Sequence, residues 1–193
     1  MKNHFFAMMS RMKYINRWAL MRNIQEENIS EHSLEVAMIA HNLAVISNVR
    51  LGNHLAAEKA ALIGMYHDSN EIITGDMPTP IKYHSDELHQ AFQEVENLAS
   101  EQLLEMLPED IRFYYNELFF PKEEDAYLWK LVKAADKLSA YCKCVEEEKS
   151  GNTEFKQAKE TLYESLLAMG LKEVDVFMEE FLPSFSLTLD ELK

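Results

Sequence analysis

Cysteine is scarce in this chain. Its 193 residues include only Cys142 and Cys144, too few and too close together for a disulfide framework, so a reduced compartment is expected. Glycine and proline are sparse as well, five of each, which argues against long irregular or repetitive segments. No apolar run reaches the length of a bilayer, and no membrane-spanning helix is predicted. The opening MKNHFFAMMSRMK has no apolar stretch of signal-peptide length before Ser10, Arg11 and Lys13 interrupt it, and a cytoplasmic location is expected. Acids are missing from residues 1–25, which carry Lys2, Arg11, Lys13, Arg17 and Arg22, while all 33 Asp and Glu lie from Glu26 onward. At a formal net charge of −14 the chain is short of the cations that neutralise phosphates, so a DNA or RNA polymer is not expected as a partner. The basic first segment can still meet a small anion.

What is present reads as one domain over residues 1–193. Hydrophobic residues make up 47% and charged residues 27%, ordinary for a globular protein, and a chain of this size hides about 70% of its unfolded surface. The apolar residues recur at helical spacing: Phe5, Phe6, Met9 and Met12; then Val36, Ile39, Ala40 and Leu43; then Leu88, Phe92, Val95 and Ala99; then Leu128, Leu131, Val132, Ala135 and Leu138. Strand-like alternation is hard to find. Ser30 is placed to cap the second stripe's helix, and Ser85 with Asp86 and Glu87 to open the third. Gly151-Asn152 closes the fourth. Two prolines in Gly75-Asp76-Met77-Pro78-Thr79-Pro80 predict a loop there. The fold class is therefore all-α, a bundle of six to eight helices, with no internal repeat or linker.

Against this greasy background the stretch MYHDSNEIITGD, residues 65–76, is unusual. It places His67 and Asp68 at the end of ALIGMYHD, a segment apolar enough to be a buried helix, where unpaired ionisable groups are costly. A divalent metal compensates them directly, because neutral imidazole and carboxylate are good ligands and a cation favours the ionised acid. Two further candidates sit on helices: His32 in SEHSLEVAMIAH and Asp136 in LVKAADKLSAY. Glu71 follows Asp68 by three positions and His67 by four, so a continuing helical turn would aim it at the same cleft. It is the spare carboxylate, available for proton transfer.

The order His32, His67-Asp68, Asp136 resembles the HD-domain metal-dependent phosphohydrolases. Four blocks tighten the match: NRWALMRN at 16–23, SEHSLEVAMIAH at 30–41, MYHDSNEIITGDMPTPIKY at 65–83 and VKAADKLSAYCKCVEE at 132–147. Together they resemble the bacterial 5'-deoxynucleotidases of the YfbR type, over nearly the whole chain. The resemblance implies an HD-domain helical bundle in which His32, His67, Asp68 and Asp136 hold one divalent ion, cobalt or manganese, with other first-row ions able to substitute. It implies Glu71 as the acid acting on the attacking water and Arg17 as the residue orienting the substrate phosphate. It further implies Trp18 at the sugar, favouring 2'-deoxyribose, and the loop Asp76, Met77, Pro78 and Thr79 lining the nucleotide site, where the ligands His32 and Asp68 also touch substrate. The implied substrate is a deoxynucleoside 5'-monophosphate, the implied assembly a homodimer and the implied location the cytoplasm.

Plainer roles exist for each residue. Asp136 can pair with Lys133 on its own helix, Arg17 with Glu26 or Glu27, and Glu71 can end a helix in solvent. Trp18 can be a core or interface residue. His4, His41, His54, His84 and His89 are read as ordinary core or surface histidines, Cys142 and Cys144 as small buried side chains, and the run Glu146-Glu147-Glu148-Lys149 as a solvated helix end. Two other functions stay open beside the deoxynucleotidase: an HD-domain hydrolase acting on a triphosphate, cyclic or signalling nucleotide, and a non-catalytic helical interaction protein whose ion only fixes the bundle. Triphosphate binding would want a denser basic cluster than the ligands have near them.

Overall fold

The computed structural model describes residues 3–82 and 84–192, with the side chain of Thr79 outside the description. Among the described residues there is no strand, only an isolated antiparallel bridge between Asn16 and Asn28. Helices dominate: α1 (Phe5–Met9), α2 (Ile29–Leu51), α3 (Ala57–Tyr66), α4 (Glu71–Thr74), α5 (Thr79–Lys82), α6 (Asp86–Glu105), α7 (Glu109–Phe119), α8 (Ala126–Lys149), α9 (Lys156–Ala168) and α10 (Lys172–Glu180). The expected all-α architecture is what forms, and none of these helices is long and apolar enough to cross a membrane.

The chain gathers into two compact units. The first takes the described residues up to Leu20, Glu26–Ser33 and Tyr66–Lys122. Its core joins α1 to α6: Phe5 is buried against Leu103, Leu104 and Leu107, ringed by Met8, Met9, Tyr66, Tyr115 and Phe119. Aromatic edges set this packing, with Phe5 and Tyr115 T-shaped at 5.3 Å between centroids. Of the N-terminal stripe, Phe5 and Met12 are buried, whereas Phe6 faces out; α1 ends at Met9 and a 3₁₀ turn follows over Met12–Tyr14.

The second unit takes Met21–Gln25, Leu34–Met65 and the described residues from Glu123 onward. Leu43, Ile63, Leu131, Leu138, Phe155 and Leu166 are fully buried in it. Here α3 lies close on α2: a Cβ at Gly64 would fall 2.9 Å from the Ala37 Cα, so this position has no room for a side chain. Both cysteines are buried thiols. Buried carboxylates in this unit are individually answered. Glu173 accepts from the hydroxyls of Ser47 at 2.7 Å and Tyr127 at 2.8 Å, and Asp125 pairs with Lys59 at 2.7 Å. Glu147, expected in solvent with its acidic neighbours, is instead 2% exposed. It accepts from Lys143 at 2.6 Å, from the backbone N–H groups of Ile24 and Gln25, and from Asn152.

The helix ends follow the expected chemistry with two corrections. Ser85 caps α6 by accepting from the Leu88 N–H at 3.2 Å. Past α8, Gly151 takes φ +89° and the Asn152 N–H returns to the Glu147 carbonyl at 2.8 Å. The cap of α2 is Asn28 rather than Ser30: its Oδ1 accepts from the N–H of Ser30 at 3.0 Å and of Glu31 at 3.1 Å. The loop after Gly75 is also shorter than expected, since Pro78 carbonyl accepts from Ile81 and Lys82 and α5 begins at Thr79. A proline in the first turn of a helix costs nothing, because that N–H has no intrahelical partner anyway.

Candidate active site

The site lies in the first unit and is assembled by three short stretches of chain. Residues 15–18 run antiparallel beside residues 27–29. The Arg17 N–H donates to the Glu27 carbonyl at 2.9 Å and the Ile29 N–H to the Ile15 carbonyl at 3.0 Å, which clasps Arg17 and Trp18 next to the start of α2. His32 follows in the first turn of that helix. The third stretch leaves α3 at Tyr66, whose carbonyl accepts from the Ser69 N–H at 3.1 Å and from the Ser69 hydroxyl at 2.7 Å. A serine bonding back to the backbone in this way competes with helix continuation. His67 and Asp68 therefore sit in a tight turn, after which α4 starts with Glu71.

This turn brings the imidazoles of His32 and His67 onto one carboxylate oxygen. Asp68 Oδ2 lies 3.1 Å from His67 Nε2 and 3.5 Å from His32 Nε2, and one ligand atom from each of the three residues falls within 4.8 Å of the others. Two nitrogens and an oxygen, with His32 fully buried, suit a divalent first-row metal ion. Burial pushes the Asp68 carboxyl up, but the two histidines and Arg17 outweigh it and hold it well below the usual carboxylate range. The side chain is thus kept in its ligating form.

Glu71 behaves oppositely. It is 8% exposed, and its Oε2 has no hydrogen-bond partner among the described residues. Burial pushes its carboxyl up to about 10, with repulsion from Asp68 and Asp76 adding to the shift and Arg17 and Lys82 opposing it. Asp76 is raised too, first by burial and then by Asp68, against the pull of Arg17 and of a hydrogen bond from the Trp18 backbone N–H. An ion beside Asp68 favours the charged forms of both. Adjacent carboxyls driven apart in acidity are the usual mark of an acid or base site.

Arg17 reaches both ends of the cluster, with Nη1 3.4 Å from Asp68 Oδ2 and Nε 3.4 Å from Glu27 Oε2. Trp18 adopts φ +58°, a left-handed conformation that costs a bulky residue roughly 1–2 kcal/mol. Its indole Nε1 donates to Glu27 Oε2 at 2.9 Å. Glu27 also lies 3.7 Å from His32 Nδ1. This residue figured in the sequence only as one of two possible partners for Arg17; its position at the centre of the site depends on the clasp between residues 15–18 and 27–29, which no local pattern signals. Asp76, Met77 and Pro78 form the partly buried loop after α4, while the side chain of Thr79 lies outside the described residues. Asp136 is half-buried on α8 of the second unit, and its place in the ligand set rests on the sequence resemblance.

A helical fold that gathers a histidine and a His-Asp doublet in this way is the fold of the HD-domain phosphohydrolases. Solved structures have the same fold: an HD-domain phosphohydrolase from Listeria innocua superposes with a TM-score of 0.79 over 94% of this chain and 88% of its own, at 24% identity. The cyanophage S-2L HD phosphohydrolase DatZ, bound to dA and one catalytic Zn2+ ion, superposes with a TM-score of 0.66 over 92% of this chain and 96% of its own, at 18% identity. In sequence, residues 4–185 match the family described as 5'-deoxynucleotidase YfbR-like. A 5'-deoxynucleotidase of Yersinia pestis is 50% identical over 98% of this chain and 96% of its own length. The chain belongs to the YfbR-like 5'-deoxynucleotidase family.

Proposed function

We propose that this protein hydrolyses deoxynucleoside 5'-monophosphates to deoxynucleoside and phosphate, as a single HD domain holding one divalent ion. The observation that carries the reading is the pairing of two unlike carboxyls three residues apart, Asp68 held ionised between His32 and His67, and Glu71 buried beside it with an unsatisfied oxygen. A metal-stabilised scaffold has no use for the second. His32, His67 and Asp68, with Asp136 as fourth ligand by family resemblance, would hold the ion. Cobalt or manganese is our choice among the ions that a nitrogen and oxygen set accepts. When bound, the ion supplies a water made more acidic, with a pKa near 7, and screening of phosphoryl oxygen charge.

The protein's own groups do the rest. Glu71, only 8% exposed, takes a proton from the attacking water or returns one to the leaving 5'-oxygen. Arg17 offers a planar fork to two phosphate oxygens, a geometry lysine does not reproduce. The ring of Trp18, fixed through Nε1, lies against the sugar and crowds a 2'-hydroxyl. Asp76, Met77, Pro78 and Thr79 line the nucleotide. We further infer a homodimer acting in the cytoplasm.

Phosphate release from a panel of deoxy- and ribonucleoside mono-, di- and triphosphates, on metal-stripped protein with single ions added back, tests the reading. Deoxynucleoside monophosphates should be cleaved best, and only with an ion present. Preference for triphosphates would refute it. For the sugar, Trp18→Ala should let ribonucleotides compete. Rejection of an extra hydroxyl by fit is worth about 10²-fold, so the deoxy-to-ribo ratio of kcat/KM should fall by up to that factor. An unchanged ratio would put selection elsewhere.

A further inference from the structure

We propose that Glu27 is a positioning residue that serves both halves of the reaction with one carboxylate, orienting the metal ligand His32 through one oxygen and the sugar-facing Trp18 through the other. The inference rests on the function proposed above and adds to it a residue outside the ligand and substrate sets.

The two oxygens of Glu27 point to different jobs. Oε1 lies 3.7 Å from His32 Nδ1, on the side of the ring opposite to Nε2, which faces Asp68 Oδ2 at 3.5 Å. A carboxylate on the far nitrogen of a ligating histidine keeps the proton on that nitrogen, leaves the other lone pair toward the ion, and fixes the ring plane. His32 is fully buried, so bulk solvent does not reach the ring. Oε2 accepts from Trp18 Nε1 at 2.9 Å and pairs with Arg17 Nε at 3.4 Å.

The carboxylate is itself held. Its backbone carbonyl accepts the Arg17 N–H at 2.9 Å, and Asn28, one residue on, bridges to Asn16. Trp18 would not keep φ +58° without fixed partners, since this conformation is unfavourable for a large side chain and persists where the surroundings over-determine it. Its partners are Glu27 at the indole and Asp76 at the backbone N–H. Ion affinity and sugar choice are therefore predicted to be linked through one side chain, so that losing it changes both.

The experiment uses Glu27→Ala, Glu27→Gln, Trp18→Ala and the double variant Glu27→Ala with Trp18→Ala, all in the full chain. Three quantities are read: Mn2+ affinity of metal-stripped protein by calorimetric titration, the position of the Trp18 indole N–H resonance, and the deoxy-to-ribo ratio of kcat/KM. Glu27→Ala should weaken Mn2+ binding about 10–100-fold, shift the indole resonance and lower the deoxy-to-ribo ratio toward that of Trp18→Ala. In the double variant the ratio should fall no further than in Trp18→Ala alone. Glu27→Gln keeps an acceptor for the indole and should preserve the ratio while still weakening Mn2+ binding. A folded Glu27→Ala protein with wild-type Mn2+ affinity and an unmoved indole resonance would overturn the proposal, as would ratios that multiply in the double variant. The two binding readouts need no turnover. A wild-type protein that takes up Mn2+ but releases no phosphate from deoxynucleoside monophosphates would overturn the proposed function and leave the role of Glu27 in binding to stand or fall on the titration.

Discussion

Glu71→Gln is expected to lower turnover by about 10²–10⁴-fold while Mn2+ affinity and melting temperature stay near the wild-type values. The amide has the shape of the acid and fills the same space at the start of α4, so packing is kept. It cannot carry a proton to or from the reacting oxygens. Glu71 is not one of the three residues, His32, His67 and Asp68, that could hold the ion, which is why binding of the ion should survive. Steady-state kinetics together with ion titration check the prediction, and a variant that retains turnover would remove Glu71 from the chemistry. Loss of ion affinity alongside turnover would instead make it a ligand.

The largest stability effect is expected at the other unit's buried pair. Glu147 is 2% exposed and Lys143 5%, joined at 2.6 Å, with Lys143 also donating to the Gln25 carbonyl. Removing one member of such a pair leaves an uncompensated buried charge, and Glu147→Ala should cost about 3–5 kcal/mol. For a chain of this length that lowers Tm by on the order of 10 °C. The same carboxylate gives a pH signature. Burial pushes it up, but Lys143, the backbone N–H groups of Ile24 and Gln25 and the Asn152 amide pull it down to about 2, against an ordinary 4.5. A carboxyl depressed in the folded state binds fewer protons there than in the unfolded chain. Its contribution is complete above pH 4.5 and is lost as pH falls toward 2. Denaturation midpoints across that window should therefore fall more steeply in the wild type than in Glu147→Gln, and equal slopes would show that the carboxylate is not held as described.

Glu147 also shows where reading a sequence stops. In a run of three glutamates and a lysine, solvation is the natural expectation for each. The sign of its burial was Lys143 four residues earlier, but that spacing also describes any exposed helix pair. The buried face of α8 was legible because it is periodic, Leu128, Leu131, Val132, Ala135 and Leu138 being the stripe predicted, whereas of the stripe predicted for α6 Ala99 is buried but Leu88 and Val95 face out. His67 and Asp68 were legible because charge inside an apolar run demands a partner. The left-handed backbone of Trp18 and the double engagement of Glu27 were not, since both arise from a clasp between segments ten residues apart that is neither helix nor hairpin in pattern. The N-cap of α2 was misassigned by two residues because Asn28 and Ser30 are both good caps and only the geometry chooses between them.

A missing methyl group has reach in this protein. With Gly64 pressed to the Ala37 backbone, α3 settles on α2 with no space left for even one carbon between them. The seam is set by a position that offers no side chain, and any residue larger than glycine there would have to prise the two helices apart.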